Sequence, residues 1–198
     1  MSEALRSAIA DLELEDPDRV VGLLAAHWAL VKTWNERVNL TSILDDGEAA
    51  WLHYRDSLEA LRVLVPGEVV DLGSGAGYPG IPLAIAEPGR RVTLVEPRRK
   101  RASFLETVAA RLGLSNVVVV VGRSDDEPAV RAANVVTRAT FSGVAELTAC
   151  KKWLAPHGAP HGQLIAYRSA ASGDPASRVH RYGLRGEQRI LEIWTSVS

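Results

Sequence analysis

The stretch Val69-Val70-Asp71-Leu72-Gly73-Ser74-Gly75-Ala76-Gly77 carries the most chemical information in the chain: an acidic residue closes a β-branched run, and three glycines follow at a spacing of two. Glycine tolerates positive φ and lets a ligand lie against the backbone. A glycine-rich turn from strand to helix therefore makes a floor for a nucleotide-like group, next to the free N–H donors of the helix. Gly75-Ala76-Gly77-Tyr78-Pro79-Gly80 also satisfies the dinucleotide pattern G-x-G-x-x-G, so the glycines alone leave hydride and methyl transfer both open. Asp71 favours the second. A carboxylate beside the turn crowds a pyrophosphate, whereas it can hold the cationic amino group of S-adenosylmethionine directly or through water. Glu96 stands 23 residues after Gly73, at the end of the next β-branched run. Doubly wound nucleoside sites place an acid there for the ribose hydroxyls, and both cofactor classes call for it.

Other chemistries find little support. No G-x-x-x-x-G-K-[ST] is present, which disfavours a P-loop nucleotide hydrolase, and Ser74 lacks the G-x-S-x-G spacing of a nucleophile elbow. The single cysteine, Cys150, excludes an intrachain disulfide and a cysteine-based zinc site. His157 and His161 flank a Pro/Gly-rich loop, but two ligands are too few for a metal centre, and no metal is expected.

The elements that must position these residues follow from hydrophobic period. Asp16-Pro17 reads as a helix entrance, followed by Val20, Leu23, Leu24, His27, Trp28, Val31 and Trp34 at helical spacing. A second helical region spans about Gly47 to Leu64, ended by Pro66-Gly67. From Glu68 onward, short buried-type strands (Val69-Val70, Val92–Val95, Val117–Val121, Val135-Val136, Leu164–Ala166) alternate with helical stretches near Pro79–Ala86, Arg98–Leu112, Asp125–Ala132 and Ser142–Leu154. Repeated β then α implies an α/β fold with a doubly wound, mostly parallel sheet. Arg178–Leu184 and Arg189–Thr195 are expected to pair around Arg185-Gly186-Glu187-Gln188 as an antiparallel hairpin closing one edge. The 198 residues fit one domain, with a helical cap over 1–66 and a core over 67–198.

Apolar residues at 46% and charged residues at 24% are ordinary globular values, and the net charge of −1 predicts neither a nucleic-acid nor a membrane partner. Charge is nevertheless unevenly placed. Residues 1–66 hold 6 Lys/Arg against 12 Asp/Glu, and the rest hold 17 against 12. The densest basic stretch contains Arg90, Arg91, Arg98, Arg99, Lys100 and Arg101, opposed only by Glu96, and such a cluster can neutralise several phosphates or form a solvated helix face. Glu3, Arg6, Asp11, Glu13 and Glu15 interrupt any apolar leader core, and no apolar run approaches the roughly 20 residues of a membrane span. A cytoplasmic, soluble protein is expected.

Asp71 to Leu83, DLGSGAGYPGIPL, resembles the cofactor loop of the bacterial small-subunit rRNA guanine-N7 methyltransferases, the RsmG or glucose-inhibited division protein B family. Further segments match in the same order: Trp34-Asn35-Glu36-Arg37-Val38-Asn39-Leu40-Thr41, His53 with Asp56-Ser57-Leu58, Lys100-Arg101-Ala102-Ser103-Phe104-Leu105, Gly122-Arg123-Ser124-Asp125, and Arg138-Ala139. The resemblance covers about residues 20–168. Where the family commonly has Lys-Gly after its fifth strand, this chain has Tyr167-Arg168-Ser169, followed by a shortened polar stretch.

The resemblance implies a class I S-adenosylmethionine methyltransferase fold. The cofactor would be held by Asp71, Gly73, Ser74, Gly75 and Tyr78 in the loop, Glu96 at the ribose, Ser124 and Asp125 near the adenine, and Arg138 at the border of the pocket. It also implies a 16S rRNA or small-subunit substrate met by Asn39, His53, Lys100, Arg123 and Arg138. The chain is expected to be a monomer. No residue is expected to serve as catalytic acid or base, because guanine N7 carries a lone pair and no proton. The alternatives are a small-molecule methyltransferase, a dinucleotide-dependent oxidoreductase read from the glycines alone, and a catalytically silent RNA-binding protein on the same fold.

Overall fold

The computed structural model describes residues 1–126, 128, 130–138, 144–154 and 162–195. α1 (Ser2–Ala8) sends Leu5 and Ala8 into the core. α2 (Pro17–Val38) begins where the sequence places it: the Asp16 carboxylate accepts from the Arg19 N–H at 3.0 Å, with Pro17 in the first turn. Its apolar stripe packs on the helices Gly80–Ala86 and Arg99–Leu112. Asn39 ends it with a φ of 49°, in the left-handed region that asparagine tolerates better than most residues.

The second helical region is not uniform. It runs as α3 (Asp46–Ala49), a π-helical segment Ala50–Arg55, α4 (Asp56–Leu58) and a 3-10 turn Glu59–Arg62. The wide turn holds His53, Tyr54 and Arg55 in buried positions, and Arg55 is compensated there by ion pairs to Glu59 and Asp11. Short π segments inside helices recur at functional sites.

Five parallel strands follow: β1 (Val69–Leu72), β2 (Val92–Glu96), β3 (Val117–Val121), β4 (Asn134–Arg138) and β5 (Gln163–Arg168). α5 (Gly80–Ala86), α6 (Arg99–Leu112) and α7 (Val144–Lys151) cross over from β1 to β2, β2 to β3 and β4 to β5. With β6 (Ser177–Leu184) and β7 (Glu187–Thr195), the sheet order is β3-β2-β1-β4-β5-β7-β6. The order reverses between β1 and β4, so the crevice beyond their C-terminal ends is the switch point where such sheets bind ligands. Val69, Leu94, Val136 and Ile165 join the core under α2, α5 and α6. Val70, Leu72, Val95, Val135 and Leu164 face the opposite layer with Trp153 and Trp194.

Two expectations need correction. The hairpin forms, but its turn is the two residues Arg185-Gly186, with φ of 52° and 84°, and β7 already starts at Glu187, opposite Leu184. Two consecutive positive φ values match the twist of a tight hairpin, which removes the need for a wider loop. No helix covers Asp125–Ala132 among the described residues. Asp126 instead caps a turn by accepting the Arg123 N–H at 2.7 Å, and Pro128 lacks the N–H that a helix would use. Ala139 and the loop with His157 and His161 lie outside the described residues.

Candidate active site

The glycine turn leaves β1 with Gly73, Gly75 and Gly77 all at positive φ. Gly73 N–H donates to Val95 O at 2.9 Å, and Gly77 N–H to Ser74 O at 2.7 Å, which curls the loop back over the sheet edge. Glu96, buried at the end of β2, ties this loop to the next one. Its carboxylate accepts the Gly75 N–H and the Arg98 N–H, each at 2.9 Å. A carboxylate has about four lone-pair positions, so capacity for two hydroxyl donors remains.

Asp71 lies completely buried beneath the loop. One oxygen accepts the Gly80 N–H at 2.9 Å, while Oδ1 has no hydrogen-bond partner. The Ser74 hydroxyl donates to the Asp71 carbonyl at 2.9 Å. Burial pushes the Asp71 carboxyl up to about 7, against the lowering effect of the Gly80 N–H. A Cβ on Gly80 would sit 2.2 Å from Leu94 Cδ2 and 2.7 Å from Asp71 Oδ2, so only glycine lets α5 approach this closely. An orphaned buried carboxylate oxygen is costly unless a donor reaches it, and a cationic amino group would satisfy it. On the Gly75 side, a Cβ would meet nothing closer than Gly73 O at 3.8 Å, which leaves room for a ligand against the backbone. The loop and the two acids thus fit S-adenosylmethionine.

One wall is aromatic and cationic. His53 stacks on Tyr78 with ring centroids 4.4 Å apart and planes 15° from parallel, and the Arg138 guanidinium lies 5.0 Å from the Tyr78 centroid. Arg138 Nη1 donates to Leu52 O at 3.0 Å and pairs with Asp56 at 3.2 Å. His53 Nε2 is 2.8 Å from the Thr41 hydroxyl. Burial, reinforced by Arg138, pulls His53 down to about 3, so its ring is neutral.

Behind Tyr78, its hydroxyl donates to Tyr54, which is 3.1 Å from His27 Nδ1, while His27 Nε2 lies 3.1 Å from Ala76 O. A carbonyl only accepts, so Nε2 carries the proton and Nδ1 accepts from Tyr54. Burial holds His27 neutral, down to about 3.

The structure thus brings Asp71, Gly73, Ser74, Gly75, Tyr78, Glu96, His53 and Arg138 to one crevice. Asn39 reaches its rim through the backbone, its carbonyl accepting from Arg101 Nη2 at 2.9 Å, and a Cβ on Gly75 would lie 3.9 Å from Arg101 Nη1. Lys100 is exposed on the first turn of α6. Arg123, Ser124 and Asp125 form the turn after β3, beside the end of β2, where Gly122 N–H donates to Glu96 O at 3.3 Å. Arg123 and Asp125 are exposed and paired with each other at 2.9 Å, so neither is committed to the crevice. His27, Tyr54, Thr41, Asp56, Arg101 and Asp126 escaped assignment to the site. Thr41, Asp56 and Arg101 lie in segments that carry the resemblance without being assigned to the site, and Asp126 stands three residues from the N–H it caps. Among the described residues no group of three or more His, Cys, Asp or Glu is placed to hold a metal ion, and no helix is long and apolar enough to cross a membrane.

A parallel sheet that reverses at β1, with an acid-and-glycine turn there and a second acid on β2, defines an S-adenosylmethionine-dependent methyltransferase of the class I fold. A solved S-adenosylmethionine-dependent methyltransferase from Aquifex aeolicus shares that fold, with a TM-score of 0.58 and 16% identity over 77% of this chain and 95% of that one. The family model described as GidB, rRNA small subunit methyltransferase G, matches residues 22–181, and the chain belongs to this family. Ribosomal RNA small subunit methyltransferase G of Methylobacillus flagellatus is 40% identical over 73% of this chain and 71% of its own length. The protein of the same name from Roseiflexus castenholzii is 37% identical over 90% of this chain and 77% of its own length. Other relatives are matched over 60–63% of their own length.

Proposed function

We propose that this protein transfers the methyl group of S-adenosylmethionine to N7 of a guanine in 16S rRNA. The observation that carries the reading is the unpartnered, buried Asp71 Oδ1 under a positive-φ glycine turn, in a chain whose family model spans residues 22–181. When bound, S-adenosylmethionine supplies an electrophilic methyl on a sulfonium. Asp71 Oδ1 would hold the amino group, the spare lone pairs of Glu96 would accept from the ribose hydroxyls, and Gly73, Ser74, Gly75 and Tyr78 would form the floor and wall. Ser124 and Asp125 would lie on the adenine side, with Asp125 paired to Arg123 in the unliganded turn.

Guanine N7 needs alignment and dehydration more than proton transfer, so this chain contributes position and charge. Arg138 carries N–H donors suited to the guanine O6 edge, and the cationic side chains of Lys100 and Arg123 would meet phosphates. His53 and Asn39 line the entrance. The neutral state of His53 suits stacking and hydrogen bonding and removes one cation from the neighbourhood of a sulfonium.

Mass spectrometry of 16S rRNA nucleosides from cells with and without the protein tests the reading. The expected result is one N7-methylguanosine that disappears with the protein and with Arg138→Ala. An unchanged set of 16S nucleosides would refute the substrate, and methyl transfer to a small molecule alone would replace it.

A further inference from the structure

Asp56 is 1% exposed, and its two oxygens are divided between distant parts of the chain. Oδ1 accepts from the Tyr182 hydroxyl of β6 at 2.7 Å, with Arg189 Nη1 of β7 at 4.0 Å, while Oδ2 pairs with Arg138 Nη1 at the end of β4 at 3.2 Å. The next residue is tied down as well, because the Tyr167 hydroxyl of β5 donates to Ser57 O at 2.6 Å. A carboxylate gripped at one oxygen can still rotate. Gripped at both, it presents a fixed acceptor, and a planar guanidinium bonded to it and to Leu52 O loses its own freedom to turn.

We propose that Asp56 and Tyr182 are positioning residues of the methyl-transfer site: they hold the Arg138 guanidinium against Tyr78, so that the β6–β7 hairpin forms part of the site's support. The inference rests on the reading above, in which Arg138 borders cofactor and base. The C-terminal stretch that departs from the family pattern after Tyr167 then leads into a strand with a defined task. Tyr182 is nearly buried, so Tyr182→Phe keeps the packed ring and removes only the donor.

A double-mutant cycle against Arg138→Ala decides the matter, read by calorimetric binding of S-adenosylhomocysteine and by methyl transfer to small ribosomal subunits. We expect Tyr182→Phe and Asp56→Asn each to weaken S-adenosylhomocysteine binding about fivefold and to lower kcat for transfer more than they raise KM for the subunit. In the Arg138→Ala background the same changes should add less than about twofold, because the residue they act through is gone. Full-sized losses in that background, or unchanged binding and kcat for Tyr182→Phe, would overturn the proposal. Should Asp56→Asn fail to fold, the Tyr182→Phe arm decides alone. If the unaltered protein binds S-adenosylhomocysteine yet methylates no subunit, the substrate reading falls, and the binding cycle still judges the role of Asp56 and Tyr182.

Discussion

Single residues carry opposite pH demands. Asp71, pushed up to about 7, favours the folded state when protonated, so its contribution is full below the ordinary carboxylate range and is lost as pH rises through about 7. His27 has the reverse sign. Its folded value of about 3 lies below the ordinary 6.5, so the stability it confers is present above 6.5 and is lost as pH falls towards 3. Replacing it with an uncharged donor, His27→Gln, should flatten the fall in Tm between about pH 6 and pH 4, measured by thermal unfolding across that range. An acid limb as steep as before would mean that His27 is not the buried neutral group described here. Asp71, Glu96 and the glycines were legible in the sequence because their chemistry is local, type and spacing within one turn. His27 and Asp56 were not. Their partners stand 27 and 126 residues away, at Tyr54 and Tyr182, and no local pattern announces such a meeting.

Elements were legible where burial and period agree. The β-branched runs of β1, β2, β4 and β5 and the cap at Asp16-Pro17 match the expectation because strand burial and backbone conformation left few alternatives, whereas β3, expected to be buried, is half-buried at the edge of the sheet. The sequence marks the region from about Gly47 to Leu64 only as helical. Its division into α, π and 3-10 turns follows from what the side chains must reach, Thr41 and Tyr78 for His53 and Glu59 and Asp11 for Arg55. Helical composition misled at Asp125–Ala132, where Asp126 satisfies a backbone N–H more cheaply as a turn cap. The seam between α5 and the β1–β2 edge has a sharp test in Gly80→Ala. The added methyl meets Leu94 and the Asp71 carboxylate, so we expect a loss of about 2 kcal/mol, read as a fall in Tm of roughly 6 °C, together with loss of S-adenosylhomocysteine binding. An unchanged Tm and affinity would show that the seam is looser than described.

At the scale of the molecule, the near-neutral total conceals a division: an acidic first third and a basic remainder. Arg98, Arg99 and Lys100 are exposed at the N-terminal end of α6, whose first turn contains no acidic residue. A helix N-terminus repels cations, so this placement costs helix stability, while a positive rim beside the glycine turn suits a polyanionic substrate. The sequence showed the cluster, and the fold supplied its position next to Glu96. The whole arrangement depends on the cradle gripping an amino acid-bearing nucleoside through Asp71. Calorimetric titration with S-adenosylhomocysteine from about pH 5 to about pH 8, on the unaltered protein and on Asp71→Asn, tests this most directly. The account predicts an affinity that climbs as pH rises towards 7 and then levels, and a weak, nearly flat affinity for Asp71→Asn. Equal, pH-independent binding by both proteins would contradict it.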